Sequence, residues 1–379
     1  MSHGSKDAAV QKTPAKRRSR GSGRAREKQR DDEALALNEE DLDEEEKLAT
    51  VCGYFCDEGL TATQIQKRMQ DEHSVKTMTR EEPYGYVRKA AARGWIRFIP
   101  PQELALQRQL REVAYPWLHD VSVVQTGRSE DVAYRGAKML LELLQQHYSG
   151  GEVHIGFSGG SSLRVLAQRF GELLREPAQF LPAKIVFHAL VAGFDVNDPT
   201  TDPNAFFTYF VSDPPMPFET SFVALHSPAM VEARFEPKLR ELPAIKEAYD
   251  RASEIDIIVT STSCWRDEHS MLRHYMDVAG ESVAKLEKEG CLGDILWQPL
   301  GSAGPFELNT RIRAMTIMKL SELNELVAAG KHVLLVAGPC ARCHRSKAEV
   351  VKAVLDQEHR LITHLVTDSR CARALQATR

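Results

Sequence analysis

The chain has 379 residues, 42% hydrophobic and 27% charged, which suffices for two or three domains with ordinary cores. Its longest apolar runs, such as Val333–Ala337, are far short of the ~20 residues of a membrane span, and no apolar segment follows the first basic residues. Seven cysteines without an even framework of spacings do not form a secreted disulfide scaffold, so the expectation is a cytoplasmic protein with reduced thiols and no membrane partner.

The net charge of −4 hides a sharp asymmetry. Residues 1–30 hold ten Lys/Arg against Asp7 and Glu27, whereas residues 31–46 hold ten acids and no base. Such blocks cannot offset the entropy of ordering, so 1–46 is expected to be a disordered charged tail. The basic block could touch nucleic acid through phosphates, or be neutralised by its acidic neighbour.

From Glu45 the pattern becomes helical, with Leu48, Val51, Cys52, Phe55 and Cys56 on one face and Gly59 as a stop. Thr61 is placed to N-cap a second helix, Ala62–Gln70, and a third runs from about Arg80 to Arg93. Gly94 and an apolar strand, Trp95–Ile99, follow. Residues 47–100 thus have the layout of a winged or plain helix-turn-helix, or of a small helical cap. The third helix carries Arg80, Tyr84, Arg88 and Lys89 as candidate DNA contacts. Pro83 and Gly85 weaken it, and Glu81 and Glu82 sit where a DNA reader presents donors.

Pro100 and Pro101 mark a break, and residues 101–120 read as a connecting helix, Gln102–Val113, and linker. Beyond it, short apolar strands alternate with amphipathic helices to the end of the chain. The predicted strands are Val121–Gln125, Val153–Phe157, Lys184–Leu190, Ser221–Leu225, Ile255–Thr260, His332–Ala337 and Leu361–Thr367. Helices are expected at Asp131–His147, Ser161–Leu174, Arg345–Asp356 and Ser369–Ala377. This pattern predicts one α/β domain over 121–379, with a parallel sheet covered on both faces and a subdomain near Leu296–Arg313.

Ligands of such sheets bind at the carboxyl ends of the strands. The turn Phe157-Ser158-Gly159-Gly160-Ser161-Ser162 joins a strand to a helix, and its glycines, helix N–H groups and hydroxyls suit a phosphate. Alternatively, Ser161 or Ser162 merely caps the helix. The same stretch matches Gly-x-Ser-x-Gly, with Ser158 as a hydrolase nucleophile. However, His364 and Asp368 follow in the wrong order, and too few strands precede the turn. A Walker site is excluded, since no Gly-Lys-Ser/Thr follows.

A second loop, Gly338-Pro339-Cys340-Ala341-Arg342-Cys343-His344-Arg345-Ser346-Lys347, again leads from strand to helix. Its Cys-x-x-Cys-His string offers three metal ligands but no second pair at finger-like spacing. Lys347, Arg345 and Arg342 are better placed to hold an anion, or form an ordinary solvated first turn. Segments 261–265, 290–294 and 366–369 could face the same cleft, with Asp294 and Asp368 as sugar-hydroxyl acceptors or as turn and cap residues. No cofactor, resident metal or catalytic residue is expected.

The helix-turn-helix layout, then Gly-Gly-Ser-Ser, Gly-Cys-Leu-Gly-Asp-Ile, Val-Ala-Gly with downstream Lys347-Ala348, and Val-Thr-Asp-Ser-Arg-Cys-Ala, occur in an order that resembles the SorC family of bacterial sugar-responsive regulators, over residues 47–376. The resemblance implies a Rossmann-like, sugar-phosphate isomerase-like effector domain that binds a phosphorylated sugar without chemistry, and a helix-turn-helix head on a double-stranded DNA operator. It implies a homodimer or homotetramer as well. It places Gly159, Gly160, Ser161 and Ser162 at the phosphate, Lys347 as its neutralising lysine, and Asp294 at or beside the sugar-end carboxylate. The chain departs from the family at Pro339 and the longer Cys340–Ser346 loop, and at Tyr84 and Gly85, which replace a Ser-Arg base-reading pair. The alternatives are a sugar-phosphate isomerase or hydrolase on the same fold, or a scaffold acting through its charged tail.

Overall fold

The computed structural model describes residues 42–75, 77–176, 180–195, 197–211, 214–305, 311–356, 358 and 360–377. Most of the predicted charged tail therefore lies outside the described residues. The chain divides between Phe98 and Ile99 into a head and a body.

In the head, helix α1 (Glu44–Cys56) is started by a capping box, in which the Asp43 carboxylate accepts the N–H groups of Glu45 and Glu46. Helix α2 (Ala62–His73) is capped by Thr61 and Gln64 in the same way. Helix α3 (Glu82–Ala92) begins with Pro83 in its first turn and has no side-chain cap. Val51, Ile65, Met69 and Met78 form one buried cluster, and Leu48, Cys52 and Ala90 a second. The predicted strand Trp95–Ile99 does not form. No strand among the head's described residues is there to pair with it, and Trp95, Phe98 and Ile99 are exposed. Thr61→Ala should cost about 1 kcal/mol of local stability, checked as faster hydrogen exchange of the α2 amides.

The body holds thirteen strands in its described residues. They are β1 (Asp120–Val124), β2 (Glu152–Phe157), β3 (Lys184–Ala189), β4 (Glu219–Val223), β5 (Met230–Glu232), β6 (Ile257–Thr260), β7 (Thr262–Cys264), β8 (Cys291–Ile295), β9 (Gln298–Gly301), β10 (Gly304–Pro305), β11 (Ile312–Ala314), β12 (His332–Ala337) and β13 (His364–Asp368). Its longer helices are α4 (Ser129–His147), α5 (Ser161–Leu173), α6 (Pro243–Asp250), α7 (Met271–Val278), α8 (Leu320–Ala328), α9 (Ala348–Leu355) and α10 (Ser369–Ala377).

Seven strands make one parallel sheet in the order β1-β13-β12-β6-β2-β3-β4. Alternation along each strand feeds two cores: Val333, Leu335 and Ala337 of β12 face one, and Leu334 and Val336 the other. Helices α4 and α5 cover the second core through Ala133, Ala137, Leu140, Leu163, Leu166 and Phe170. Helices α8, α9 and α10 cover the first through Leu323, Val350, Val354 and Leu375. This is the predicted architecture.

Several boundaries differ. The connecting helix starts at Leu104 and widens into a π-helical turn over Gln109–Ala114. Strand β4 lies two residues earlier than expected, because its register against β3 begins with Lys184 opposite Glu219. The last helical loop delays α9 to Ala348, since His344 is left-handed. In place of the expected subdomain at Leu296–Arg313, strands β7 to β10 form an antiparallel sheet that starts at Thr262. No helix among the described residues is long and apolar enough to cross a membrane.

Candidate ligand-binding site

From β2 the sheet is built outward through β3 and β4 on one side and through β6, β12 and β13 on the other. The connections therefore diverge between β2 and β6, and a crevice opens beyond their carboxyl ends. A pocket of about 830 Å³, including its open mouth, lies there. Ser158, Gly159, Gly160, Ser161, Ser162, Asp294 and Lys347 all line it, so the seven positions singled out in the sequence converge on one place.

The Ser158–Ser162 turn is anchored by the Ser158 N–H to the Val259 carbonyl at 3.0 Å and the Gly160 N–H to the Thr201 carbonyl at 2.9 Å. Gly160 occupies the N-cap of α5 with φ 124°, a conformation closed to most side chains. No side chain caps α5, so the reading of Ser161 or Ser162 as a mere cap does not hold. The hydroxyls of Ser158, Ser161 and Ser162 make no hydrogen bond to another described residue. The first N–H groups of α5 are likewise left for a ligand. Lys347 stands just before the first turn of α9, half-buried, with no carboxylate of a described residue within ion-pair distance. Ammonium, amides and hydroxyls together suit an oxyanion.

The opposite wall is acidic and partly apolar. Asp294 on β8 is buried, and the Ser263 hydroxyl donates to its carboxylate. Burial pushes its carboxyl up to about 6, against the opposing pull of the Ser263 bond and the Lys347 charge. The sheet carries this residue close to its neighbour: at Gly293 a Cβ would fall 2.1 Å from the Ser263 carbonyl oxygen. Leu296 and Trp297 form the two-residue turn between β8 and β9, both with positive φ (52° and 58°). That strain is held by burial and by the Trp297 ring lying 5.5 Å from Tyr275, and it places Trp297 in the pocket wall. At the mouth, Arg342 Nη2 meets Asp195 Oδ2 at 2.6 Å.

Not every expectation survives. Asp368 does not line the pocket. Its Oδ1 accepts the N–H groups of Arg370 and Cys371 at 2.9 and 3.1 Å, which makes it the cap of α10. Two strands, β6 and β12, stand between β2 and β13, so His364 lies roughly 14 Å across the sheet from the end of β2, which rules out a Ser158–His364 dyad. Asp195, Thr201, Asp267, His269, Met271 and Trp297 also line the pocket and were not foreseen. The only available signal was that 191–201 and 261–271 follow the carboxyl ends of β3 and β6.

In the head, Arg80 and Arg88 are exposed. Tyr84 is half-exposed, with its ring edge-on to Phe55 at 6.1 Å. Lys89 Nζ is engaged 2.6 Å from Glu44 Oε1.

Comparison with known proteins then settles the family. Residues 102–377 match the family model Sugar-bind, a sugar-binding domain. The chain belongs to the Sugar-bind family. Similar solved structures include the full-length sorbitol operon regulator SorC from Klebsiella pneumoniae, at TM-score 0.59 and 14% identity over 88% of this chain and 99% of that one. A DeoR family transcriptional regulator from Listeria monocytogenes follows at TM-score 0.54 and 19% identity, covering 72% of this chain and 98% of that one. A transcriptional regulator from Streptococcus pneumoniae gives 0.54 and 18%, with coverages of 72% and 96%. No curated protein matches the sequence. The fold of the Sugar-bind body is thus the one the SorC resemblance implied.

Proposed function

We propose that this Sugar-bind protein is a ligand-responsive transcriptional regulator whose body binds a phosphorylated sugar without turnover and whose head contacts double-stranded DNA. The observation that carries the reading is the pairing, across one pocket, of an uncapped glycine–serine turn and the unpaired Lys347 with the buried Asp294. Phosphate fits the first, and Asp294, Asp195 and Asp267 offer acceptors to sugar hydroxyls beside Trp297. Ser158 stands three strands from His364 and makes no hydrogen bond to His269, the histidine of its own pocket, which favours binding over chemistry.

Arg80, Tyr84 and Arg88 are the head's free candidates for DNA contact. Lys89 must first leave Glu44, so phosphate contacts are favoured over base reading. Assembly as a homodimer or homotetramer in the cytoplasm would set two heads on paired half-sites. The effector then shifts DNA affinity by binding one arrangement better, typically by 1–3 kcal/mol.

The test is thermal unfolding against a panel of sugar phosphates, the matched unphosphorylated sugars and inorganic phosphate, followed by DNA binding with and without the best ligand. Stabilisation of about 2.7 kcal/mol is expected at 100 times the dissociation constant, confined to one or two sugar phosphates and accompanied by altered DNA binding. Consumption of the ligand would show an enzyme instead.

A further inference from the structure

The sugar-phosphate reading leaves the Cys-x-x-Cys-His string after β12 without a role. Cys340 is buried. The Cys340 N–H donates to the Arg345 carbonyl and the His344 N–H to the Cys340 carbonyl, each at 2.9 Å, and His344 has φ 57°. These two backbone bonds and a left-handed residue straight after the second cysteine make a tight knuckle.

The second thiol of this knuckle turns to a carboxylate: Cys343 Sγ lies 3.6 Å from Asp267 Oδ1, and the Cys340 side chain acts on the same carboxylate. Asp267 is buried and belongs to a different segment, between β7 and α7. Two residues on, His269 completes the group: one of its ring nitrogens, the Cys343 sulfur and an Asp267 oxygen all lie within 4.8 Å of one another. Two sulfurs, an imidazole and a carboxylate, from two segments far apart in sequence, are the donor set and number of a closed zinc-type site.

We propose that Cys340, Cys343, Asp267 and His269 bind one thiophilic divalent cation of the zinc class. The donors of Cys343, Asp267 and His269 already lie within 4.8 Å of one another and need to contract only slightly to reach the roughly 3.3–3.8 Å between ligands of a tetrahedral ion, while Cys340 closes in from the knuckle as the fourth. Binding converts the two thiols into two metal-bound thiolates, so each ion taken up releases two protons. A redox pair explains the arrangement less well. It has no use for Asp267 and His269.

Cys340, Asp267 and His269 also line the ligand pocket, and the loop between them and α9 carries Arg342 and Lys347. A bound ion would pin that wall, so ligand affinity should fall when the ion is removed. This consequence, unlike the site itself, rests on the sugar-phosphate reading.

The experiment is metal analysis of the reduced full chain, with cobalt titration read through the thiolate-to-cobalt charge-transfer band and through proton release. About one equivalent carrying that band and two protons per ion are expected. The band should lose about half its intensity in Cys343→Ser, and apparent affinity should fall at least tenfold in Asp267→Asn and His269→Ala. Should Cys340→Ser fail to fold, the half-exposed Cys343, Asp267→Asn and His269→Ala carry the test. His119, His332 and His364 also cluster, within 4.8 Å at the amino edge of the sheet, but hold no sulfur, so the band and not stoichiometry decides. Uptake without a thiolate band, no uptake by the reduced protein, or a band indifferent to Asp267 and His269 would overturn the site. Ligand binding that survives chelation would remove only the coupling. Absence of any sugar-phosphate binding would remove the functional reading and leave the metal site standing.

Discussion

Replacing Lys347 by alanine should weaken binding of the phosphorylated sugar on the order of 100-fold, and leave the matched unphosphorylated sugar nearly unaffected. The magnitude follows from removing one partner of a largely desolvated charge pair, which costs 2–5 kcal/mol, whereas an exposed pair is worth less than 1. Lys347 fits the first case, because it is half-buried and no carboxylate of a described residue neutralises it within ion-pair distance. Its removal would leave a dianion facing Asp195, Asp267 and Asp294 with only hydroxyls and amides to hold it. Lys347→Arg should restore part of the affinity, since the charge survives while the reach changes. Calorimetric titration at fixed ionic strength checks both variants. An equal loss for the two sugars would mean that Lys347 shapes the pocket and does not hold the phosphate.

That lysine also shows how far local sequence can be trusted. The loop before it carries a Cys-x-x-Cys that a sugar-phosphate site does not call for, yet Lys347 still reaches the pocket. The loop is taken up by the knuckle and the left-handed His344, and α9 begins later than the sequence suggested.

The strands of the parallel sheet were legible because most are short, nearly unbroken apolar runs buried on both faces, and the half-exposed edge strand β4, Glu-Thr-Ser-Phe-Val, is the one placed two residues late. The strands of the small sheet were not. They are two to five residues long, include Gly293, Pro299 and Gly304, and are defined by their partners and not by any period of their own. Trp95–Ile99 failed in the opposite sense: it has strand-like residues and no strand to pair with. Asp294 and Asp368 looked equivalent in sequence. Only the fold decides that one points into a pocket and the other takes up the N–H groups of a helix.

Asp294→Asn is expected to stabilise the protein at neutral pH by up to about 3 kcal/mol and to remove a fall in stability between pH 4 and 6. Burial raises the Asp294 carboxyl to about 6 from the ordinary 3.8. The folded state therefore holds this proton more tightly than the unfolded state. Its stabilising effect is complete below pH 3.8 and is lost as pH rises through 6, after which the buried charge weighs against folding at every higher pH. An asparagine never ionises, and its carbonyl can still accept from Ser263.

Other groups titrate in the same range. Burial raises Asp202 and Asp368, and it depresses His332 and His364, to about 4 and about 3, with the opposite effect on stability. The informative quantity is therefore the wild-type minus variant difference in denaturant stability at each pH, in which those contributions cancel. A difference that stays flat from pH 4 to 7 would show that Asp294 is not strained by its burial. Because the Lys347 charge holds the Asp294 carboxyl down, the same difference measured in a Lys347→Ala background should be larger, with its midpoint displaced to higher pH. A protein that keeps a carboxylate buried at such a cost, beside an ammonium it does not pair with, is one whose pocket is completed by a ligand.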